Sequence, residues 1–157
     1  MKPFKFTLEG VRTLRQRKER ACMEAYALAL SDRQRAAQRV EHIARQLMEV
    51  WMRIHGELAE GTAAASIAQL RGFCQSLEES QAQAKRRLDE ADRGVHESLG
   101  RMLVARQERE AVDKFAEYQK SVHDRELNRE EQKALDEMAG RRGISQLTGT
   151  IGKLSHG

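Results

Sequence analysis

From Ile67 to Val112, small or apolar residues recur at alternating steps of three and four: Ile67, Leu70, Cys74, Leu77, Ala84, Leu88, Ala91, Val95, Met102, Ala105 and Val112. Gln81, Ser98 and Arg109 fall on the same seam. A stripe sustained well beyond three or four heptads specifies a coiled coil. No proline interrupts Ser66 to Met138, so this stretch predicts one helix on the order of 110 Å long, too long to bury in a compact domain. Ser66 and Gln69 read as an S-x-x-Q capping box at its start. Gly72, Gly94 and Gly100 each cost roughly 1 kcal/mol relative to alanine. Such a helix requires a packing partner.

A second periodic stretch supplies one. It runs through Leu8, Val11, Leu14, Ala21, Ala25, Leu28, Ala36, Val40, Ile43, Leu47, Val50, Ile54 and Leu58. Between Leu28 and Val40 the steps become four-four-four through Asp32 and Ala36, which reads as a stutter that locally unwinds a supercoil. Pro3 fits at or just before the first helical turn. The segment Gly56 to Ala65, with its glycines and threonine, is short enough to reverse the chain between antiparallel helices.

The expected fold is therefore all-α: a long antiparallel two-helix coiled-coil hairpin over 1–139, with helix 1 at about 4–58, the turn at about 59–65 and helix 2 at about 66–138. With the midpoint near Gly61 and Thr62, facing residues sum to about 123, because both helices rise equally per residue. That pairs Val11 with Val112, Val40 with Ala84 and Leu47 with Leu77, and puts Trp51 level with Phe73. The aromatic residues have two readings: a plug in the coil near its turn, or an exposed anchor for a partner. Beyond about residue 120 the second helix has no counterpart, although Val122, Leu127, Leu135 and Met138 lie there. A lone helix of that length is marginal in water. Past Ala139 the chain is Gly-rich and basic, and 140–157 reads as a disordered tail.

Composition narrows the function. Of 157 residues, 33% are charged and only 4% aromatic, too few large apolar groups for a globular core. Acids and bases alternate and the net charge is only +4, so the pI of 9.3 points only weakly to nucleic acid. No apolar run approaches the roughly 20 residues of a membrane span. Met1–Phe6 is followed by no apolar stretch of the kind a secretory signal has, and the two cysteines, Cys22 and Cys74, form no disulfide framework. The simplest expectation is the reducing cytoplasm.

Chemical motifs are lacking. The run Gly149 to Ser155 has Leu147 where a phosphate loop needs its first glycine, and Leu154 where it needs Ser or Thr for magnesium. His96-Glu97 has no second histidine at i+4, and His42, His55, His123 and His156 are scattered. Carboxylates abound, but a two-helix rod offers no cleft to shift their pKa. No catalytic residue, cofactor or metal is expected, and the chain reads as no enzyme. The basic run Arg12, Arg15, Arg17, Lys18 and Arg20 before heptads suggests a zipper-type DNA reader; a hairpin turn leaves no parallel fork for that role.

Two stretches resemble a known family. Phe4-Lys-Phe6-x-Leu8-Glu-x-Val11-x-x-Leu14-Arg15 and Arg129-Glu-Glu-Gln-Lys-Ala-Leu135-Asp-Glu-Met138-Ala139 are similar to FliJ, the stalk and chaperone-escort protein of the flagellar type III export apparatus. The injectisome stalk family (YscO) is a near relative, and the second run favours the flagellar branch. The resemblance implies a coil like the central shaft of rotary ATPases, whose open end enters the pore of the hexameric export ATPase. It also implies contact with the cytoplasmic ring of the export gate, hand-over of export chaperones, no nucleic acid, and a cytoplasmic location, peripheral to the inner membrane through its partners. On that reading Phe73, Leu77, Ser80 and Ala84 hold the register of the family's gate-binding face. At the ATPase, Leu135 and Met138 would seat against the pore wall. Arg125, Arg129 and Lys133 would meet acidic loops, with Arg12 and Arg15 close behind. An unrelated homodimeric structural or DNA-binding coiled coil is the other class.

Overall fold

The computed structural model describes residues 2–61 and 63–154, with side chains as far as Thr150. The expected turn residue Thr62 and the end of the expected disordered tail, 155–157, lie outside them. Among the described residues there are two helices and no strand, α1 (Glu9–Glu60) and α2 (Ala64–Leu154). They pack against each other as an antiparallel hairpin, seen in side-chain hydrogen bonds between residues 93 to 112 apart in sequence. The chain divides into two units: Arg15–Glu108, which contains the turn, and Met1–Leu14 with Arg109–Gly157.

In the Arg15–Glu108 unit, the turn is made by a glycine. Gly61 closes α1 at φ 73°, a left-handed conformation that only glycine adopts without strain and that ends helices routinely. Its N–H reaches Leu58 O at 3.4 Å. The capping box does not form. α2 starts before Ser66, and the Ala63 carbonyl accepts from Ser66 N at 3.1 Å and Ile67 N at 3.4 Å. Ser66 Oγ donates instead to Glu57 Oε2 at 3.3 Å, across the turn.

The core of this unit lies next to the turn. Ile43, Leu47, Val50 and Ile54 of α1 pack with Cys74, Leu77 and Ala84 of α2, flanked by Val40 and Leu70. The side chains that meet across the two helices here, Glu57 with Ser66, Arg15 with Glu108 and Arg33 with Asp92, have numbers summing to 123, 123 and 125, close to the 123 of the sequence arithmetic. Farther from the turn the seam narrows to Ser98 and Ala105 on α2. Ser98 is buried but satisfied, its hydroxyl donating to Gly94 O at 2.7 Å.

On α1 the structural seam departs from the hydrophobic pattern ahead of Ala36. Leu14 and Leu28 are exposed, as are Ala21 and Ala25. The half-buried residues Arg15, Glu19, Cys22, Tyr26, Ala29, Ala36 and Val40 mark the seam instead, and the exposed Arg33 holds the remaining position, so the steps of three and four are unbroken. There is no stutter. The charged seam positions reach across to α2: Arg15 Nη1 contacts Glu108 Oε2 at 2.6 Å, and Arg33 pairs with Asp92.

In the second unit α2 receives two kinds of partner. Arg12 Nε meets Asp113 Oδ1 at 3.0 Å, and Arg109 Nη1 holds the other oxygen at 2.8 Å. Ahead of α1, residues 2–6 belong to neither helix nor strand, consistent with Pro3. Phe4 lies on the His123 ring, centroids 5.5 Å apart, and Phe6 meets Phe115 edge-on at 6.1 Å. Thr7 Oγ1 donates to Gln119 Oε1 at 3.3 Å. A non-helical segment can span more length per residue than the 1.5 Å of a helix. This short strap therefore covers α2 beyond residue 120, where the equal-rise arithmetic left it bare.

The helix also outlasts its expected end near 138. Residues 140–154 continue α2, where the sequence reading placed disorder. No proline stops them, and Gly140, Gly143 and Gly149 keep helical backbone, Gly61 being the one described glycine with positive φ. Thr148 and Thr150 turn their hydroxyls onto carbonyls of their own helix, Thr148 to Ile144 O at 3.1 Å and Thr150 to Gln146 O at 2.8 Å.

Ile43, 2% exposed, and Leu28, an exposed leucine that the sequence pattern alone would put in the seam, separate the two registers. Ile43→Ala should destabilise by about 2–4 kcal/mol, the cost of a buried aliphatic truncation. Leu28→Ala should change stability by less than about 0.5 kcal/mol. Thermal unfolding followed by circular dichroism checks both; a large cost at Leu28 would restore the stuttered seam.

Candidate functional site

In the unit formed by Met1–Leu14 and Arg109–Gly157, Leu127 is the last partly buried residue, and every residue from Asn128 to Thr150 is exposed. Leu135 and Met138 are each 61% exposed on this stretch. Together with Asp136, Ala139, Arg142, Gly143 and Gln146 they line a shallow groove. Arg129 and Lys133 are exposed on the same helix, and Arg125 Nη2 donates to Ser121 Oγ at 3.1 Å. Four of these sequence-derived residues, Arg129, Lys133, Leu135 and Met138, thus lie on the uncovered stretch, and Arg125 lies just before it. Arg12 does not join them as a free cation, since its guanidinium is held by Asp113.

The strap builds a second feature of this unit. Phe4, Lys5 and Thr7 with Tyr118, Gln119, Val122, His123 and Glu126 enclose an open cavity of about 330 Å³. The sequence reading placed Phe4 and Phe6 in a helix. Pro3 just ahead of them was the signal that could have placed them on a non-helical strap.

In the Arg15–Glu108 unit, the four residues at the gate-binding register separate. Leu77, 8% exposed, and Ala84 belong to the core; Ser80 is half-buried; Phe73, 50% exposed, stands free of it. Phe73 precedes the seam residue Cys74 and Trp51 follows the seam residue Val50. In an antiparallel pair those positions flank the seam on opposite sides. Neither aromatic plugs the coil, and they form no pair. On the Ser80 side a small cavity of about 140 Å³ is lined by Arg39, Ser80, Gln83, Ala84 and Arg87, so this face carries two guanidinium groups.

Arg15 is likewise committed within its unit. Glu108 accepts from Lys18 Nζ at 3.2 Å as well as from Arg15. The hydrogen bond from Lys18, with the Arg15 and Lys18 charges, holds the Glu108 carboxyl below its ordinary value, against a smaller opposing effect of burial. Among the described residues no group of three His, Cys, Asp or Glu side chains is placed to hold a metal. No described helix is long and apolar enough to cross a membrane.

Residues 4–148 match the family described as flagellar FliJ protein. The chain belongs to the FliJ family. No curated protein and no solved structure matches it. Membership makes the chain a component of the flagellar type III export apparatus, within a family of non-enzymatic components. It selects the flagellar branch over an injectisome stalk or an unrelated homodimeric coil. The match takes in the strap from Phe4 and most of the uncovered helix, through Thr148.

Two tests follow for this FliJ-family chain. Leu77→Ala should cost about 2–4 kcal/mol in unfolding free energy, whereas Phe73→Ala should cost well under half of that. Equal costs would make Phe73 part of the core. Because the Glu108 pKa is lowered on folding, its contribution is present above the ordinary carboxylate pKa and disappears as pH falls through the lowered value. The Tm difference between the native chain and Glu108→Gln should therefore persist at neutral pH and close as pH falls below the ordinary carboxylate range. A difference that stays constant into acid would mean that Glu108 acts by packing.

Proposed function

We propose that this chain is the stalk-like coiled coil of the export apparatus, with no activity of its own, and that it binds and stimulates the hexameric export ATPase. The observation that carries this reading is the uncovered helix beyond Leu127, which presents Leu135 and Met138 to solvent. A helix that exposes such groups along this much of its length gains stability when another surface covers it. In a ring pore, the two apolar side chains seat against the wall while Arg125, Arg129 and Lys133 meet acidic loops. Arg12 and Arg15 contribute indirectly, by holding α1 to α2 through Asp113 and Glu108.

At the other contact, the export gate, Phe73 is the anchor, with Ser80, Arg39 and Arg87 farther along the coil. Leu77 and Ala84 shape that face from within rather than touching the partner. Export chaperones are the third class of partner, and the protein works at the cytoplasmic face of the inner membrane through these contacts.

Phosphate release by the ATPase tests the reading. A chain ending at Leu127 keeps the Phe4–His123 and Phe6–Phe115 contacts and the whole turn-side core. It should remain helical and lose stimulation, while a chain ending at Ala139 should retain it. Leu135→Ser with Met138→Ser should lower stimulation on the order of tenfold, as expected when two apolar anchors are lost. Full stimulation by the chain ending at Leu127 would remove the stalk role from this helix.

A further inference from the structure

The last part of α2 has a chemistry of its own. No acidic residue follows Glu137, whereas Arg141, Arg142 and Lys153 do. The preceding stretch 128–137 mixes both signs, with Glu130, Glu131, Asp136 and Glu137 against Arg129 and Lys133. Ile144 and Leu147, 65% and 66% exposed, are three residues apart on a helix and so share one face. The sequence repeats that spacing at Ile151 and Leu154. At about 100° per residue, Arg142 falls on the opposite side of the helix from Ile144 and Leu147, and Arg141 at the flank. The Leu135 and Met138 face proposed for the ATPase lies on the Arg142 side. Ile144 and Leu147 are left out of that contact.

We infer that residues 139–154 form an interfacial helix that docks on an anionic lipid surface, with Ile144 and Leu147 toward the acyl chains and Arg141 and Arg142 at the headgroups. Charge complementarity selects this occupant. An acid-free basic stretch meets no repulsion at an anionic bilayer, and a one-sided aliphatic face with basic residues around it is the pattern of a helix lying in a membrane interface. Arg141, at the edge of the apolar face, can reach headgroup phosphates while its methylene stem stays over the acyl boundary. The helix is too short in apolar residues to span, so it lies on the surface. The glycines at 140, 143 and 149 weaken the helix in water, so lipid binding also stabilises it.

The contact is weak by design of its composition: few basic residues and few large aliphatic ones give reversible binding. That suits a protein that must also engage protein partners. The inference does not depend on the ATPase reading, since it concerns a different face and needs no ATPase to be tested.

Flotation of the full chain with vesicles decides it. Binding is expected to phosphatidylcholine vesicles containing about one third phosphatidylglycerol, and to be much weaker with phosphatidylcholine alone. Raising salt from about 50 to about 500 mM should weaken it. Ile144→Ser with Leu147→Ser should reduce binding on the order of tenfold, as should Arg141→Glu with Arg142→Glu, while Leu135→Ser with Met138→Ser leaves it unchanged. Circular dichroism of each variant should show the native helix content in buffer. No binding to the anionic vesicles would overturn the inference. So would vesicle binding that survives Ile144→Ser with Leu147→Ser while ATPase binding falls, which would assign this face to a protein partner.

Discussion

The structure depends on a seam whose quality changes along the hairpin. Next to the turn it is built of Ile43, Leu47, Val50, Ile54, Leu77 and their neighbours, each large aliphatic contributing roughly 1.5–3 kcal/mol on burial. Away from the turn, in the same unit, the seam positions of α1 are Arg15, Glu19, Cys22, Tyr26 and Arg33. Ion pairs such as Arg15–Glu108, with side chains about a third exposed, contribute far less than a buried aliphatic and are screened by salt. Stability is therefore concentrated at the turn. The charged positions act chiefly on register, because a shift by one residue would take Arg15 from Glu108 and Arg33 from Asp92 together.

This division also explains what the sequence made legible. The α2 stripe could be followed from Ile67 to Val112 because its seam positions are small or apolar and its outward positions are mostly charged. On α1 before Val40 the correlation inverts. Leucines at 14 and 28 face out, while arginines and a glutamate occupy the seam. A hydrophobicity pattern cannot find a seam that is held by ion pairs and small side chains, so a stutter appeared where the heptads are continuous. Pairing by charge would have found it: Arg15, Arg33 and Arg12 each stand opposite an acid on α2.

The candidate site was legible to different degrees for related reasons. The exposure of Leu135 and Met138 is legible because no counterpart on α1 exists for them, and the structure leaves both uncovered. Leu77 and Ala84 were assigned to a binding face by register, yet register places them on the seam itself; only the adjacent positions, Phe73 and Ser80, can look outward. Charge alone marks Arg12 and Arg15 as contact residues, whereas Asp113 and Glu108 across the seam commit both to the fold. The strap was missed because a helical period was carried back to the first residues, past Pro3.

A coil arranged in this way separates folding from recognition. Truncating a turn-side residue such as Ile43 removes core energy, whereas the residues beyond Leu127 contribute almost no burial to the hairpin. Their side chains are consequently free to be chosen for partners, and the choices differ along the helix. Mixed charge with Leu135 and Met138 gives way to an acid-free stretch with Ile144 and Leu147 on another face. A two-helix coil can present distinct surfaces only by changing residue type along and around its helices. In this chain that change is greatest where the hairpin leaves α2 uncovered, since there a substitution costs the fold least.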